Sequence, residues 1–246
     1  MARWVRVPLV LLRRGEREID KKTARYLSEV LRLRAGDRFI AFDPEARLEA
    51  TAALHETDGV LRCVLEEPIP AARVVDSGIV LIQALGKGDK AEQVVRSATA
   101  LGVARIVLVE SERSVARASE RSDNKRARLQ TIALDAARQS GRGDVPEISG
   151  PHSLDTELEL WREAPGLKLC LAPDATSGFR ALTDAWTFGA PIALLIGPEG
   201  GFSAREIERT ELAGFVAARF GELTLRTEIA GIAVLGALIY LSQQSG

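Results

Sequence analysis

The 246-residue sequence predicts an α/β protein, with a small β-rich region ahead of a larger domain built on a parallel sheet. Three observations carry that expectation. From Gly78 onward, apolar runs of strand length alternate with helical stretches, the rhythm of a parallel sheet covered by helices on both faces. Residues 1–70 instead hold short strand-like runs separated by turn residues such as Asp43-Pro44 and Asp58-Gly59. Between them "EEPIPAARVVDSG" carries two prolines and breaks the pattern, so the domains are expected to span 1–72 and 73–246.

In the first region, "YLSEVLRL" places Tyr26, Leu27, Val30 and Leu31 at helical spacing, predicting a helix over about Lys21–Leu33. The strands follow as "RFIAFD", "LEATAALH" and "VLRCVLEE". In the second region, "IVLIQAL" reads as a strand and "DKAEQVVRSATALG" as a helix closed by Gly102, since glycine takes up the left-handed cap position cheaply. Strand "ARIVLVE" comes next, then helix "DNKRARLQTIALDAARQS" with Leu129, Ile132, Ala133 and Ala136 on its apolar face. Strand "LKLCLA", a short helix near Gly178–Ala185 and strand "PIALLI" lead to a helix over Ala204–Ala213. Ser203 and Glu206 form a capping box at its start. Strand "FVAARF" and a final helix complete the chain. That last helix, "TEIAGIAVLGALIYLSQ", is apolar on nearly every side, where a surface helix should show a polar stripe. One face can cover the sheet; the other predicts a homodimer, with Gly231 and Gly236 as points of close approach, the alternative being that the N-terminal domain covers it within one chain.

Charge is distributed unevenly. Residues 1–150 hold 26 Lys/Arg against 22 Asp/Glu, and residues 151–246 hold 7 against 12. The excess peaks in residues 1–40, a footprint for a polyanion or simply a solvated basic face. Arg3, Arg6, Arg32 and Arg34 are the candidate phosphate contacts, because the region lacks an aromatic stacking platform. Cys63 and Cys170 sit in strand-like runs and suggest buried thiols in a reducing compartment. The longest apolar run, Ile229–Leu241, is shorter than a bilayer needs, so no membrane partner and a cytoplasmic location are expected.

Several chemistries lack their parts. There is no G-x-x-x-x-G-K-[ST] phosphate loop, and "GPEGG" puts Glu199 where a dinucleotide fingerprint needs glycine. His55 and His152 lie near no cysteine, so no metal site and no Ser-His-Asp hydrolase are expected. What remains concentrates at the ends of three strands: "LAPD", "GPEGG" and "GELTLRTE". Loops so rich in glycine and free of lysine suit a pocket made of backbone groups, holding a neutral purine and a small zwitterion rather than a triphosphate. Taken one at a time, each could be only a tight turn.

"LLIGPEGGFS" followed by "LRTEIA" resembles the knotted SPOUT-class methyltransferases. Within that class the chain is similar to the RsmE family, which methylates N3 of a uridine in small-subunit ribosomal RNA. "GKGDKAEQVVRSATALGV", "SERSV" and "QSGR" extend the likeness, and "VLRLRAGD" resembles the family's PUA-like N-terminal barrel. The chain departs from the pattern at Arg138, Leu223 and Ile229.

The resemblance implies a C-terminal domain with a trefoil knot and S-adenosylmethionine held by the three loops. Leu171 would serve from the first, Ile196, Gly197, Gly200 and Gly201 from the second, and Phe220, Leu225 and Thr227 from the third. It also implies dimers and, as partner, small-subunit ribosomal RNA or the assembled subunit, with Arg113, Gln139 and Arg142 as further RNA contacts. Methylating a ring nitrogen that carries a proton needs a base or an electrostatic helper. Arg226 is the candidate to stabilise a developing enolate-like oxygen, and Glu228 to accept the proton or orient Arg226. A helix-start ion pair is the structural alternative for these two, and helix capping for Gln139 and Arg142. A non-catalytic RNA-binding protein using the basic N-terminal region is the competing function, and a small-metabolite enzyme using the same pocket is a third.

Overall fold

A computed structural model describes residues 5–86, 88–114 and 122–242. The chain divides into two compact units, Met1–Val75 with Ala137–Val145, and Asp76–Ala136 with Pro146–Gly246. The segment containing "QSGR" therefore belongs with the N-terminal unit.

In the first unit, β1 (Arg6–Pro8) and β2 (Gly15–Glu18) precede α1 (Lys21–Arg25). Strands β3 (Arg38–Asp43), β4 (Leu48–Thr57), β5 (Val60–Leu65) and β6 (Ile69–Pro70) follow. They pair in the order β1-β3-β4-β5-β2, with β6 also on β4, and only β1–β3 is parallel. Alternation along β4 puts Ala50, Ala52 and Leu54 into a core with Phe39, Cys63 and Leu65. The helix is shorter than its periodicity suggested. Asp20 caps it by accepting from the Lys22 and Thr23 N–H groups, but after Arg25 the chain widens into a π-helical turn, Tyr26–Val30. There the Leu31 N–H donates to Tyr26 O, and Arg32 then takes a left-handed φ of 55°. The wide turn keeps both Leu27 and Leu31 on the core, which outweighs regular α-geometry.

The second unit holds β7 (Ile79–Ala84), α2 (Lys90–Leu101), β8 (Arg105–Glu110) and α3 (Ser122–Ser140), whose last residues lie in the first unit. Then come β9 (Glu147–Ser153), α4 (Leu154–Arg162), β10 (Leu167–Leu171), α5 (Phe179–Thr183), β11 (Ile192–Ile196), α6 (Ala204–Leu212), β12 (Val216–Ala218) and α7 (Thr227–Ser242). The strands form one fully parallel sheet in the order β12-β10-β11-β7-β8-β9. Helices cover both faces, as strand alternation dictates. Ile82 and Ala84 of β7 with Ala193 and Leu195 of β11 pack against Leu158 and Trp161 of α4. Their neighbours Leu81 and Ile196 turn toward α7, where a Cβ on Gly231 would stand 3.1 Å and 3.4 Å from them. Gly231 thus brings α7 down onto its own sheet rather than onto a second chain. Gly236 has open space around it.

Residues Val234, Leu235 and Leu238 are fully buried, and side chains of that kind contribute about 1.5–3 kcal/mol each. On the outer side of the same helix, Ile229 and Tyr240 are exposed. Among the described residues no helix is long and apolar enough to cross a membrane.

Candidate functional site

Strand order reverses between β11 and β8 on either side of β7, and crevices in parallel sheets open where order reverses, at the carboxyl ends of the strands. There the second unit carries a cavity of about 740 Å³, within the size range of small-molecule and cofactor sites. Its wall comes from the segments that follow β10, β11 and β12. All eight residues expected to hold a cofactor line it: Leu171; Ile196, Gly197, Gly200 and Gly201; Phe220, Leu225 and Thr227.

Local chemistry fixes these segments. After β11, Gly201 adopts φ 67°, a conformation with a steric penalty for any Cβ. At once Ser203 and Glu206 form the reciprocal capping box that starts α6. Glu206 is buried and also accepts from the Glu112 N–H at 2.7 Å, tying the segment after β8 to the same corner. Arg113 donates to Gly200 O at 2.9 Å, so this arginine, expected to contact RNA, stands in the cavity wall.

The third segment is locked to the second by a relay. Gln83 Nε2 donates to Thr227 Oγ1 at 2.9 Å, and Thr227 Oγ1 donates to Gly197 O at 2.6 Å. The end of β7, the start of α7 and the glycine segment are thereby held in one arrangement.

The charged groups arrange themselves differently from expectation. Arg226 is exposed and lines the cavity, whereas Glu228 is 6 % exposed and sits behind the wall. The wall also contains a lysine, although the three loops carry none. Lys90, from the first turn of α2, places Nζ 2.8 Å from Glu199 Oε1 and 3.1 Å from Glu228 Oε2. The first contact is a directed hydrogen bond; the second is an ion pair without good hydrogen-bond direction. Burial pushes the Glu228 carboxyl up, but its own backbone N–H, Lys90 and then Arg226 outweigh that and hold it below the ordinary carboxylate value. The hydrogen bond to Glu199 and then the close contact with Glu228 push the Lys90 ammonium above its usual value.

Lys90 was missed because its partners lie far along the chain. The available signal was the first-turn position of Lys90 directly after "GKGD" at the end of β7. Cys170 also borders the cavity, and burial raises its thiol to about 12, keeping it protonated and unreactive.

The arginines of the first unit do not form one set. Arg3 lies outside the described residues. Arg6 is turned inward: it pairs with Glu49 at 2.9 Å and stacks over the Phe42 ring, its guanidinium carbon 4.8 Å from the centroid. Arg32 and Arg34 are exposed, and Gln139 is exposed near the end of α3. Arg142 is 4 % exposed and donates from Nε and Nη2 to the two carboxylate oxygens of Asp144, each at 2.8 Å. Its charge is spent on Asp144 inside the unit, whereas the sequence offered it as an RNA contact or a helix cap. Among the described residues no group of three or more His, Cys, Asp or Glu side chains is placed to hold a metal.

Comparisons with known proteins converge. The model for an RNA methyltransferase domain matches residues 75–239. Ribosomal RNA small subunit methyltransferase E of Bacillus subtilis (strain 168) is 26 % identical over 231 residues, covering 92 % of this chain and 90 % of that protein. Its namesake in Mycobacterium tuberculosis (strain CDC 1551 / Oshkosh) is 29 % identical over 232 residues, covering 92 % and 87 %. Among solved structures, ribosomal RNA small subunit methyltransferase E from Neisseria gonorrhoeae bound to S-adenosyl methionine gives a TM-score of 0.84 at 27 % identity, covering 97 % of this chain and 98 % of that one. A Legionella pneumophila structure in complex with the bound cofactor SAM gives 0.87 at 30 % identity, covering 98 % of each.

Proposed function

This chain belongs to the RNA methyltransferase domain family, and from that premise we propose that it uses S-adenosylmethionine to methylate N3 of a uridine in small-subunit ribosomal RNA. The observation that carries the reading is the convergence of all eight expected cofactor residues on one cavity. Its makeup fits the donor. Apolar Leu171, Ile196, Phe220 and Leu225 offer surfaces for an adenine ring, and the glycine segment lets a ligand approach the main chain. When bound, S-adenosylmethionine supplies an electrophilic methyl group on a sulfonium. The protein's task is then to hold the uridine in line with that methyl and to manage one proton. Arg226, exposed in the same wall, is placed to stabilise negative charge developing on a pyrimidine oxygen. Glu228 lies behind it as the anion that anchors Lys90.

The finer fold reading, a knotted C-terminal domain and a PUA-like barrel binding RNA through Arg32 and Arg34, belongs to the same proposal. So does a homodimer through the outer face of α7, supported by exposed Ile229 and Tyr240 and the open space at Gly236. Light scattering at micromolar concentration tests the dimer, and a stable monomer would refute it. The deciding experiment for function incubates the protein with labelled S-adenosylmethionine and unmodified small subunits or their RNA, followed by nucleoside analysis. Labelled 3-methyluridine is expected. RNA binding with neither cofactor binding nor transfer would instead establish a non-catalytic RNA-binding protein.

A further inference from the structure

The polar groups nearest the cavity pose a problem of assignment. Two carboxylates share one ammonium: Lys90 reaches Glu199 at 2.8 Å and Glu228 at 3.1 Å. The carboxylates differ in access. Glu228 is held at the first turn of α7, nearly sealed from solvent, whereas the Glu199 side chain is 35 % accessible and forms part of the cavity wall together with Lys90. Of these two carboxylates, Glu199 is the one that lines the cavity.

The backbone is shaped around this pair. A Cβ on Gly86 would stand 3.1 Å from Glu199 Oε1 and 3.0 Å from Lys90 Cδ, so a larger residue there would require the pair to give by a few tenths of an ångström. Glu199 itself lies between Gly197 and Gly200, in the segment held by Thr227 and Arg113. The glutamate is thus positioned from both sides: its backbone by neighbouring loops, its carboxylate by a lysine on a different helix.

We propose that Glu199 is the group that takes the proton from the target ring nitrogen, and that Lys90 is a positioning residue that holds its carboxylate at the cavity wall while balancing the buried charge of Glu228. The assignment rests on the methyltransferase reading above. In the step, the N3–H bond breaks and its electron pair stays on the pyrimidine ring as the nucleophile. The proton passes to the Glu199 carboxylate and from there to water. Lys90 remains an ammonium throughout, so the three groups carry one net negative charge before the transfer and none while Glu199 is protonated.

The test uses the full chain with S-adenosylmethionine and unmodified small subunits, comparing Glu199→Gln, Lys90→Met and Lys90→Arg with the wild type. Calorimetry with S-adenosylmethionine confirms that each variant retains a folded pocket. Glu199→Gln keeps the carboxylate's shape but cannot accept the proton, so kcat should fall at least about 100-fold while KM for RNA and cofactor affinity change by less than about threefold. Lys90→Met should lower kcat by about tenfold or more, and Lys90→Arg should recover most of it, a rescue that loss of packing alone would not give. A Glu199→Gln enzyme with kcat within threefold of wild type overturns the proton-acceptor role. A Lys90→Met enzyme with unchanged kcat, or no recovery with arginine, overturns the positioning role. Failure of the wild type to transfer any methyl group would instead sink the functional reading on which both depend.

Discussion

The cavity wall of the C-terminal unit and the arginines of the N-terminal unit were both anticipated from sequence, and they turned out differently. Eight residues from three separate segments meet around one cavity. Of the arginines expected to contact RNA there, Arg6 and Arg142 face carboxylates inside their own unit, whereas Arg32 and Arg34 are exposed. The difference lies in what each residue type commits to. A glycine at φ 67° or a threonine at a helix start is constrained by its own backbone, so its role is written locally. An arginine carries a long flexible arm whose partner is chosen by the fold, and a count of charges does not name that partner.

That contrast can be broken at Arg142, where the largest effect is expected. Arg142→Met leaves Asp144, itself 6 % exposed, with the Val75 N–H at 3.3 Å and without its bidentate partner. Removing one member of a buried pair costs about 3–5 kcal/mol because the remaining charge stays desolvated. Urea unfolding should show a loss of that size, read on the transition of the N-terminal unit. A variant that keeps its stability but loses RNA affinity would make Arg142 an RNA contact instead.

The cavity side of the comparison is sharpened at Thr227. Thr227→Val conserves shape but removes the hydroxyl between Gln83 and Gly197. Leaving buried polar groups unsatisfied costs about 1–3 kcal/mol, and the glycine segment loses its tie to α7. Stability should fall by that amount, and cofactor affinity by about tenfold in calorimetry. A smaller change is expected from Gly201→Ala. A Cβ there meets nothing within 4 Å, so the penalty is conformational alone, about 1–2 kcal/mol for an L-residue held at this positive φ. Should thermal unfolding show no loss, the segment after β11 does not need its left-handed turn.

How much was legible follows the same division. The periodicity of "IVLIQAL", "ARIVLVE" and "PIALLI" placed three central strands to within a residue or two, because strands buried on both faces read as continuous apolar runs. β9 escaped notice, since "EISGPHS" contains Gly150-Pro151, a pair that argues against a central strand; β9 is the edge of its sheet and its register shifts at that point. α4 was readable but unread: Leu154, Leu158 and Trp161 recur at helical spacing behind the Ser153 cap. In the site, loop chemistry gave the glycines and the capping box, and the family resemblance gave Thr227. The ion pair from Lys90 to Glu199 spans 109 positions and could be found only once β7 and β11 were known to lie side by side.

The smallest effect tests the exposed half of the arginine set. Arg34 is accessible, and its backbone is tied to Asp37, the N–H donating to Oδ2 at 2.7 Å and the carbonyl accepting from the Asp37 N–H at 3.0 Å, contacts that a side-chain substitution leaves in place. Arg34→Gln should therefore change folding stability by no more than about 0.5 kcal/mol. If the side chain meets a phosphate, the change removes one counterion-releasing contact. The slope of log affinity against log salt for RNA should then become shallower by roughly one, while calorimetry with S-adenosylmethionine stays as it was. The paired measurement separates this arginine from Arg142: one should move the salt slope and leave the unfolding curve alone, the other the reverse. An Arg34→Gln protein with an unaltered slope would mean that exposure and charge do not identify the phosphate contacts of this unit. The RNA surface would then have to be sought among residues other than those its basic composition suggests.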